Sequence, residues 1–321
     1  MEVVRADGPV LEQILDASYS LWGEGLTRRG YGQYNAAQLR TAWGQSNLTR
    51  LALVENGRFL ATAKRYDLAA RMGSRRIRVL GIGAVFTPPD LRGRGLARNL
   101  IDLMIADAAR DGIHTALLFS EIGPDYYARL GFTEIPIETV TLDVKAGPLD
   151  VARGRRERAP AIPVRSGDDR DIEHIAAISR RVSDRFPFTL ERSAEFIRFG
   201  VTRKRLLAGF TRGGSRHVEF LVVEEGGRPA AYVVATVSPF GRTLEECGDL
   251  DPSGARVGAI LQTLRIASHD RFATLKAWLP PALLPPQLSI VGREPARDVM
   301  MTRGIDAPTV ADVLYWHGDL F

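Results

Sequence analysis

Six residues, Arg92-Gly93-Arg94-Gly95-Leu96-Ala97, combine two guanidiniums with two positions that carry no side chain. They follow an apolar run, IRVLGIGAVFT over 77–87, and the prolines Pro88 and Pro89. They precede Leu96, Leu100, Met104 and Ala108, which recur at helical spacing. A helix start presents unpaired backbone N–H groups and partial positive charge, and glycines let an anion come close to them. The chemistry that suits this order is capture of a phosphate or pyrophosphate by residues 92–97. The competing reading is a surface turn with two solvated arginines. The spacing matches neither GxxxxGK[ST] nor GxGxxG.

The elements that must position this loop read as a strand over 77–87, a helix from about Gly95 to Asp111 stopped by Gly112, and a short buried strand, HTALLFS, over 114–120. A brief helix follows in GPDYYARLGF, opened by Pro124 and closed by Gly131. Gly81 and Gly83 are expected to mark a bend or a close backbone approach. Pro88 and Pro89 cannot donate to a ladder and should end the pairing.

The two halves of the chain echo each other. LALVENGRFLATA (51–63) and FLVVEEGGRPAAY (220–232) both read as hairpins around a Gly-Arg turn. A helical pattern lies upstream of each, with Asp168 or Asp169 able to cap the second, and an amphipathic helix lies downstream. Two copies of one α/β unit is the simplest account. With 321 residues, two domains are expected: 1–150, a Pro, Gly and Arg-rich linker at 151–165, and 166–321.

Composition narrows the function classes. Apolar residues make up 45% and charged residues 25%, and no apolar run reaches the roughly 20 residues that a membrane helix needs. The start, MEVVRADGPVLEQ, does not have the pattern of an export signal. Cys247 is the one cysteine, so an internal disulfide is impossible and a cytoplasmic location is expected. The five histidines show no HExxH spacing, so no metal is expected. The net charge of +5 comes from bases interleaved with acids, which favours a solvated surface over nucleic-acid binding.

Arg92-Gly93-Arg94-Gly95-Leu96-Ala97 matches the Arg/Gln-x-x-Gly-x-Gly/Ala signature, and Tyr127-Ala128-Arg129-Leu130-Gly131-Phe132 the Tyr-x-x-x-Gly-Phe segment, of the GNAT superfamily of N-acetyltransferases. On these motifs residues 50–143 resemble that family, and the tandem halves resemble the GNAT domains of Eis-type proteins. The resemblance implies an α/β fold of two tandem GNAT-like domains, each a mixed, splayed β-sheet flanked by helices. It implies acetyl-CoA as co-substrate, with pyrophosphate on Arg92, Gly93, Arg94, Gly95, Leu96 and Ala97 and the pantetheine arm along Val85, Phe86 and Thr87. The implied reaction is acetyl transfer to the amine of a small molecule or peptide, the acceptor itself being unnamed.

Tyr127 takes the place of the family's tyrosine acid, against the reading of a packed aromatic with Tyr126 exposed. Glu121, at the end of the strand 114–120, is a candidate base or amine contact, or a plain surface Glu. Ser120 either bonds the cofactor or simply ends the strand. A third candidate base is the carboxylate of Phe321, since DVLYWHGDLF runs apolar to its last residue. The absence of cysteine from the first half favours direct transfer over an acyl-cysteine route. In the second half the corresponding loop, GDLDPSGARVGAIL, is acidic at Asp249 and Asp251 and lacks both motifs, which points to a degenerate copy that does not bind CoA. The rival to catalysis is a non-catalytic acyl-CoA-binding or regulatory module.

Overall fold

The computed structural model describes residues 1–146, 163–267, 274–305 and 313–321. Its strands are β1 (Glu2–Arg5), β2 (Leu48–Glu55), β3 (Arg58–Met72), β4 (Arg75–Phe86), β5 (Thr115–Ser120), β6 (Thr133–Ile135), β7 (Glu138–Val144) and β8 (Val164–Ser166) in the first part. After these come β9 (Phe188–Leu190), β10 (His217–Glu225), β11 (Arg228–Ser238), β12 (Gly241–Asp249), β13 (Thr274–Ala277), β14 (Leu288–Pro295), β15 (Val299–Arg303) and β16 (Val313–Leu314). The helices are α1 (Gly8–Trp22), α2 (Arg28–Arg40), α3 (Ala42–Asn47), α4 (Leu96–Arg110) and α5 (Asp125–Ala128), then α6 (Ile172–Ser183), α7 (Ala194–Phe210) and α8 (Ala255–Ala267). No helix among the described residues is long and apolar enough to cross a membrane.

The strands form two mixed sheets with one connectivity. The first runs β1-β2-β3-β4-β5-β15-β6, and the second, read from its first strand, runs β8-β10-β11-β12-β13-β7-β14. Along each of these orders one parallel pair (β4 with β5, β12 with β13) interrupts antiparallel neighbours, and β9, parallel to β16, joins the first sheet alongside β3. The hairpins expected at 51–63 and 220–232 are β2–β3 and β10–β11. The matching order shows the internal repeat in the backbone.

The repeat is closed reciprocally. β7 leaves the first half of the chain and pairs with β13 and β14 in the second sheet. β15 comes from the second half and fills the equivalent place between β5 and β6. A cut at residue 150 therefore separates neither sheet from the other half of the chain. The linker expected at 151–165 lies, as far as residue 162, outside the described residues, and its end is already strand β8.

Helix placement follows the apolar spacing. Leu100, Ile101, Met104 and Ala108 bury one face of α4 against Leu53, Ala61, Ala63, Leu80 and Ile82 of the first sheet. Gly112, at φ 76°, allows the left-handed turn that ends the helix. The opposite face of that sheet packs Trp43, Tyr66 and Leu68 against Phe188, Phe199 and Tyr315 of the second half. Asp168 and Asp171 form a capping box ahead of α6, as its sequence pattern predicted.

Met300, Met301 and Thr302 of β15 are fully buried in the first sheet. Burying two methionines contributes about 3–6 kcal/mol, comparable with the about 5–15 kcal/mol by which a domain is stable at all. A fragment of residues 1–146 is therefore expected to stay unfolded alone and to fold when co-expressed with 163–321. Circular dichroism melts check this, and a cooperative melt for 1–146 by itself would contradict it.

Candidate functional site

The β4 and β5 ladder runs from Val79 with Thr115 to Ile82 with Leu118 and stops. β4 continues to Phe86 and β5 to Ser120 without pairing, so a slot opens between them. What bends β4 is a bulge. Its pairing with β3 jumps between Gly83 opposite Lys64 and Phe86 opposite Thr62, and the extra residue, Ala84, has φ 47°. A non-glycine residue in that region is strained and marks a site that the surroundings hold in place. Of the two roles expected of Gly81 and Gly83, the close backbone approach is the one seen. A Cβ on Gly83 would lie 2.7 Å from the Phe321 main-chain oxygen, and one on Gly81 would lie 3.0 Å from the Phe321 ring. They admit the C-terminal segment.

The basic loop lies beside the slot. Gly93 (φ 79°) and Gly95 (φ 74°) are both left-handed, and a Cβ on either would meet nothing within 4 Å. Conformation, not crowding, requires glycine there. Gly95 caps α4 without any side-chain bond, and the first turn has no acid. The N–H groups of Leu96 and Ala97 are thus left to an anion. Arg92, Arg94 and both glycines are exposed, and Arg92 Nε donates to the Thr87 carbonyl at 3.2 Å, folding the loop back on the strand end. The Thr87 hydroxyl is buried without a partner. A slot edged by Val85, Phe86 and Thr87 with an open cationic helix start at its end fits a thioester arm joined to a pyrophosphate.

The equivalent helix of the second half is closed. The Asp249 carboxylate accepts from the Arg256 and Val257 N–H groups at 2.9 and 3.3 Å and pairs with the Arg256 side chain at 3.0 Å. An internal carboxylate occupies the place that an external phosphate would need.

Tyr127 is 7% exposed and packs edge-on to Tyr126 and Phe132, with ring centroids 5.0 and 6.0 Å apart. Both readings of this residue therefore meet in it: it is a core aromatic, yet no hydrogen bond to its hydroxyl is found among the described residues. Burial, then the neighbouring Tyr126 and Glu121, pushes its pKa above the usual 10. Glu121 is exposed at the end of β5, and its carboxyl pKa is raised by partial burial and by Asp298 nearby. The Ser120 hydroxyl is buried and donates to the Gly123 carbonyl at 2.6 Å, which leaves it able only to accept.

Phe321 lies within the site. Its ring stacks 4.6 Å from Tyr66 and 5.4 Å from Phe119, and its main-chain carbonyl group faces Gly83 at the first unpaired position of the slot. A buried ion network carries it there from the second half. Arg192 pairs with Asp319 at 2.6 Å, Lys204 and His317 hold Glu245 at 2.8 and 3.0 Å, and Arg203 donates to the Leu320 carbonyl. Burial would raise the Glu245 pKa, but the ammonium of Lys204 and the His317 imidazole overcome it and hold the carboxyl well below its usual range. Sequence reading missed Arg192, just before α7, and Arg203 and Lys204 on it, because basic residues in one segment give no sign of the carboxylates they meet.

Among the described residues no cluster of His, Cys, Asp and Glu is arranged to hold a metal ion. Residues 12–135 match the family model described as an acetyltransferase (GNAT) domain, ending at the strand before β7. No curated protein matches the chain in sequence. Among solved structures it is similar to a GCN5-related N-acetyltransferase from Kribbella flavida, at 17% identity and a TM-score of 0.66 over 94% of this chain and 70% of that one. It is also similar to Eis1 from Mycobacterium abscessus, at 14% identity and 0.55 over 94% and 73%. A third is N-myristoyltransferase from Saccharomyces cerevisiae with bound myristoyl-CoA, at 11% and 0.54 over 94% and 81%. Residues 12–135 thus match an acetyltransferase (GNAT) domain, and the chain as a whole, both sheets included, has the mixed α/β fold of these solved structures.

Proposed function

We propose that the protein transfers an acetyl group from acetyl-CoA to an amine by direct attack, at one site built on the first sheet. The observation that carries this reading is the juxtaposition of the β4–β5 slot, the Ala84 bulge and the uncapped start of α4. Backbone N–H groups at Leu96 and Ala97, with Arg92 and Arg94, hold the pyrophosphate, and the free edge of Val85, Phe86 and Thr87 holds the pantetheine. The co-substrate supplies the activated acyl carbon. Solved neighbours with a similar fold include a GCN5-related N-acetyltransferase and an N-myristoyltransferase that holds myristoyl-CoA, which supports acyl-CoA as the donor class. The second half binds no CoA in this reading, because Asp249 fills its helix start. The buried lone thiol of Cys247 suits a cytoplasmic protein.

An amine must lose a proton to attack, since a lysine-type amine with a pKa of about 10.4 is mostly charged near neutrality. The Phe321 carboxyl oxygens, over Gly83, are the acceptors we assign to that proton, with Glu121 as the outer relay. Tyr127, whose pKa is raised, keeps its phenolic proton at working pH and delivers it to the leaving thiolate.

Acetyl-CoA should bind one site per chain in calorimetry, and replacing Arg92 and Arg94 together by Ala should weaken it about 100-fold or more, since each charged hydrogen bond contributes about 1.5–3 kcal/mol. A folded protein with no acetyl-CoA binding would end the proposal.

Free-thiol release with an amine panel should fall about 100-fold in kcat for Tyr127→Phe, with the KM for acetyl-CoA unchanged. Because a raised pKa keeps the phenol protonated, the native pH profile should show no descending limb below about pH 10. Binding without thiol release for any amine would instead favour a non-catalytic acyl-CoA-binding module.

A further inference from the structure

Three cations line the acceptor side of the slot with no acid to match them. Arg50 of β2 and Lys64 of β3 are direct cross-strand partners, and Lys64 is in turn opposite Gly83 of β4. Like charges opposite each other on adjacent strands repel. Arg50 is 4% exposed; its Nη2 donates to the Asn35 Oδ1 at 3.3 Å and its Nη1 is buried without a partner. Lys64 Nζ reaches only the amide oxygen of Gln38, at 3.4 Å. Arg203 of α7 donates to main-chain carbonyls of Gly318 and Leu320 and lies beside Tyr66. Among the described residues, none of the three is within ion-pair distance of a carboxylate.

The acids on the surrounding elements are already committed. Glu24 pairs with Arg216 at 2.9 Å, Glu245 with Lys204 at 2.8 Å and Asp319 with Arg192 at 2.6 Å. A carboxylate on Phe321 would match at most one of the three basic groups and leave Arg50 or Arg203 without one. Burial, and then Arg50 and Arg203, holds the Lys64 pKa well below its usual value. Buried charges without counter-charges are costly, and such cost collects where a ligand supplies what is missing. Lys64, Tyr34 and Arg203 retain some solvent contact, and a cavity of about 30 Å³ adjoins Arg203, Tyr66 and Phe321.

From this arrangement we infer that the acceptor is an amine carrying a carboxylate a few bonds from its nitrogen, an amino-acid-like molecule whose carboxylate is received by Arg50, Lys64 and Arg203. The inference rests on the acyl-transfer reading and adds its substrate class. Geometry sets the separation: Lys64 is one strand spacing, about 4.8 Å, from Gly83, where the slot begins and the amine must arrive. The same cations repel polycationic amines, and an amine without a nearby anion leaves the cluster unmatched. Tyr34 and Tyr66 supply apolar walls beside it.

Two measurements test this. In thiol-release assays, glycine, leucine, phenylalanine and glutamate are each compared with the corresponding amide, which keeps the size and loses the charge. At least one acid should exceed its amide by 10-fold or more in kcat/KM, and Lys64→Met should remove that preference while leaving the KM for acetyl-CoA unchanged. Because the substitution relieves repulsion, the Lys64→Met melting temperature should equal or exceed the native one, and Arg50→Gln should lose the preference in the same way. In calorimetry without donor, the N-acetyl derivatives of the acids should bind the native protein at least 10-fold more tightly than the N-acetyl amides. Equal binding of acids and amides, no binding of either, or a preference that survives Lys64→Met would overturn the inference, as would a cluster that serves the Phe321 carboxyl alone, which predicts equal binding. Failure of the acyltransferase reading would show separately, as loss of acetyl-CoA binding, and the calorimetric comparison would still decide the anion site.

Discussion

Neither sheet of this molecule can be completed by its own half of the chain. β15 sits between β5 and β6, and β7 sits between β13 and β14. The far side of β5 is therefore held by a strand nearly two hundred residues away, while its near side is free to part from β4. A slot between two strands is stable only if each has another neighbour for its backbone groups. β3 serves β4 in this way, and β15 serves β5. The exchange of strands thus supports the opening as well as the fold.

The same dependence brings the C-terminal segment to the site. Trp316 and Tyr315 are buried among apolar residues of both halves, and Asp319, wholly buried, is held by Arg192 and by the Trp316 N–H. Buried ion pairs of this kind add little net stability but penalise heavily any arrangement that breaks them. Their effect is to fix where residues 316–321 lie, and so to fix Phe321 against Gly83. The absence of a side chain at Gly83 is required by that contact, in which two backbones meet at a distance that no Cβ would permit.

Much of the site was legible in the sequence because its signals are local. Glycines at 93 and 95 are needed for left-handed backbone, the helix pattern after them is periodic, and both features survive in a short window. The motif at Tyr127 was legible for the same reason, and so was the acidic loop of the second copy, where Asp249 accepts from the helix start. What was not legible depends on pairing between distant segments. A strand of seven residues, such as β7, reads the same whichever sheet it joins, so the exchange was invisible and a boundary at 150 looked natural. The bulge falls on Ala84, the residue after Gly83, and the close approach that Gly81 and Gly83 signalled is to Phe321, a partner that no local pattern could name. Ser120 needed the structure in another way: the bond from its hydroxyl to the Gly123 carbonyl depends on the turn after β5.

The two copies differ by where negative charge comes from. At α8 the chain provides its own carboxylate, Asp249, and the helix start is satisfied internally. Among the described residues α4 has no acid in its first turn, and no side-chain carboxylate pairs with Arg50, Lys64 or Arg203. Internal compensation stabilises a fold, so the first copy gives up stability at two separate places that face opposite ends of one slot. A sequence under selection for folding alone would fill such places, as the second copy has done. Their persistence on either side of the β4–β5 opening is most economically explained by two external anions: one that enters with the donor at α4, and one that enters with the acceptor at β2 and β3.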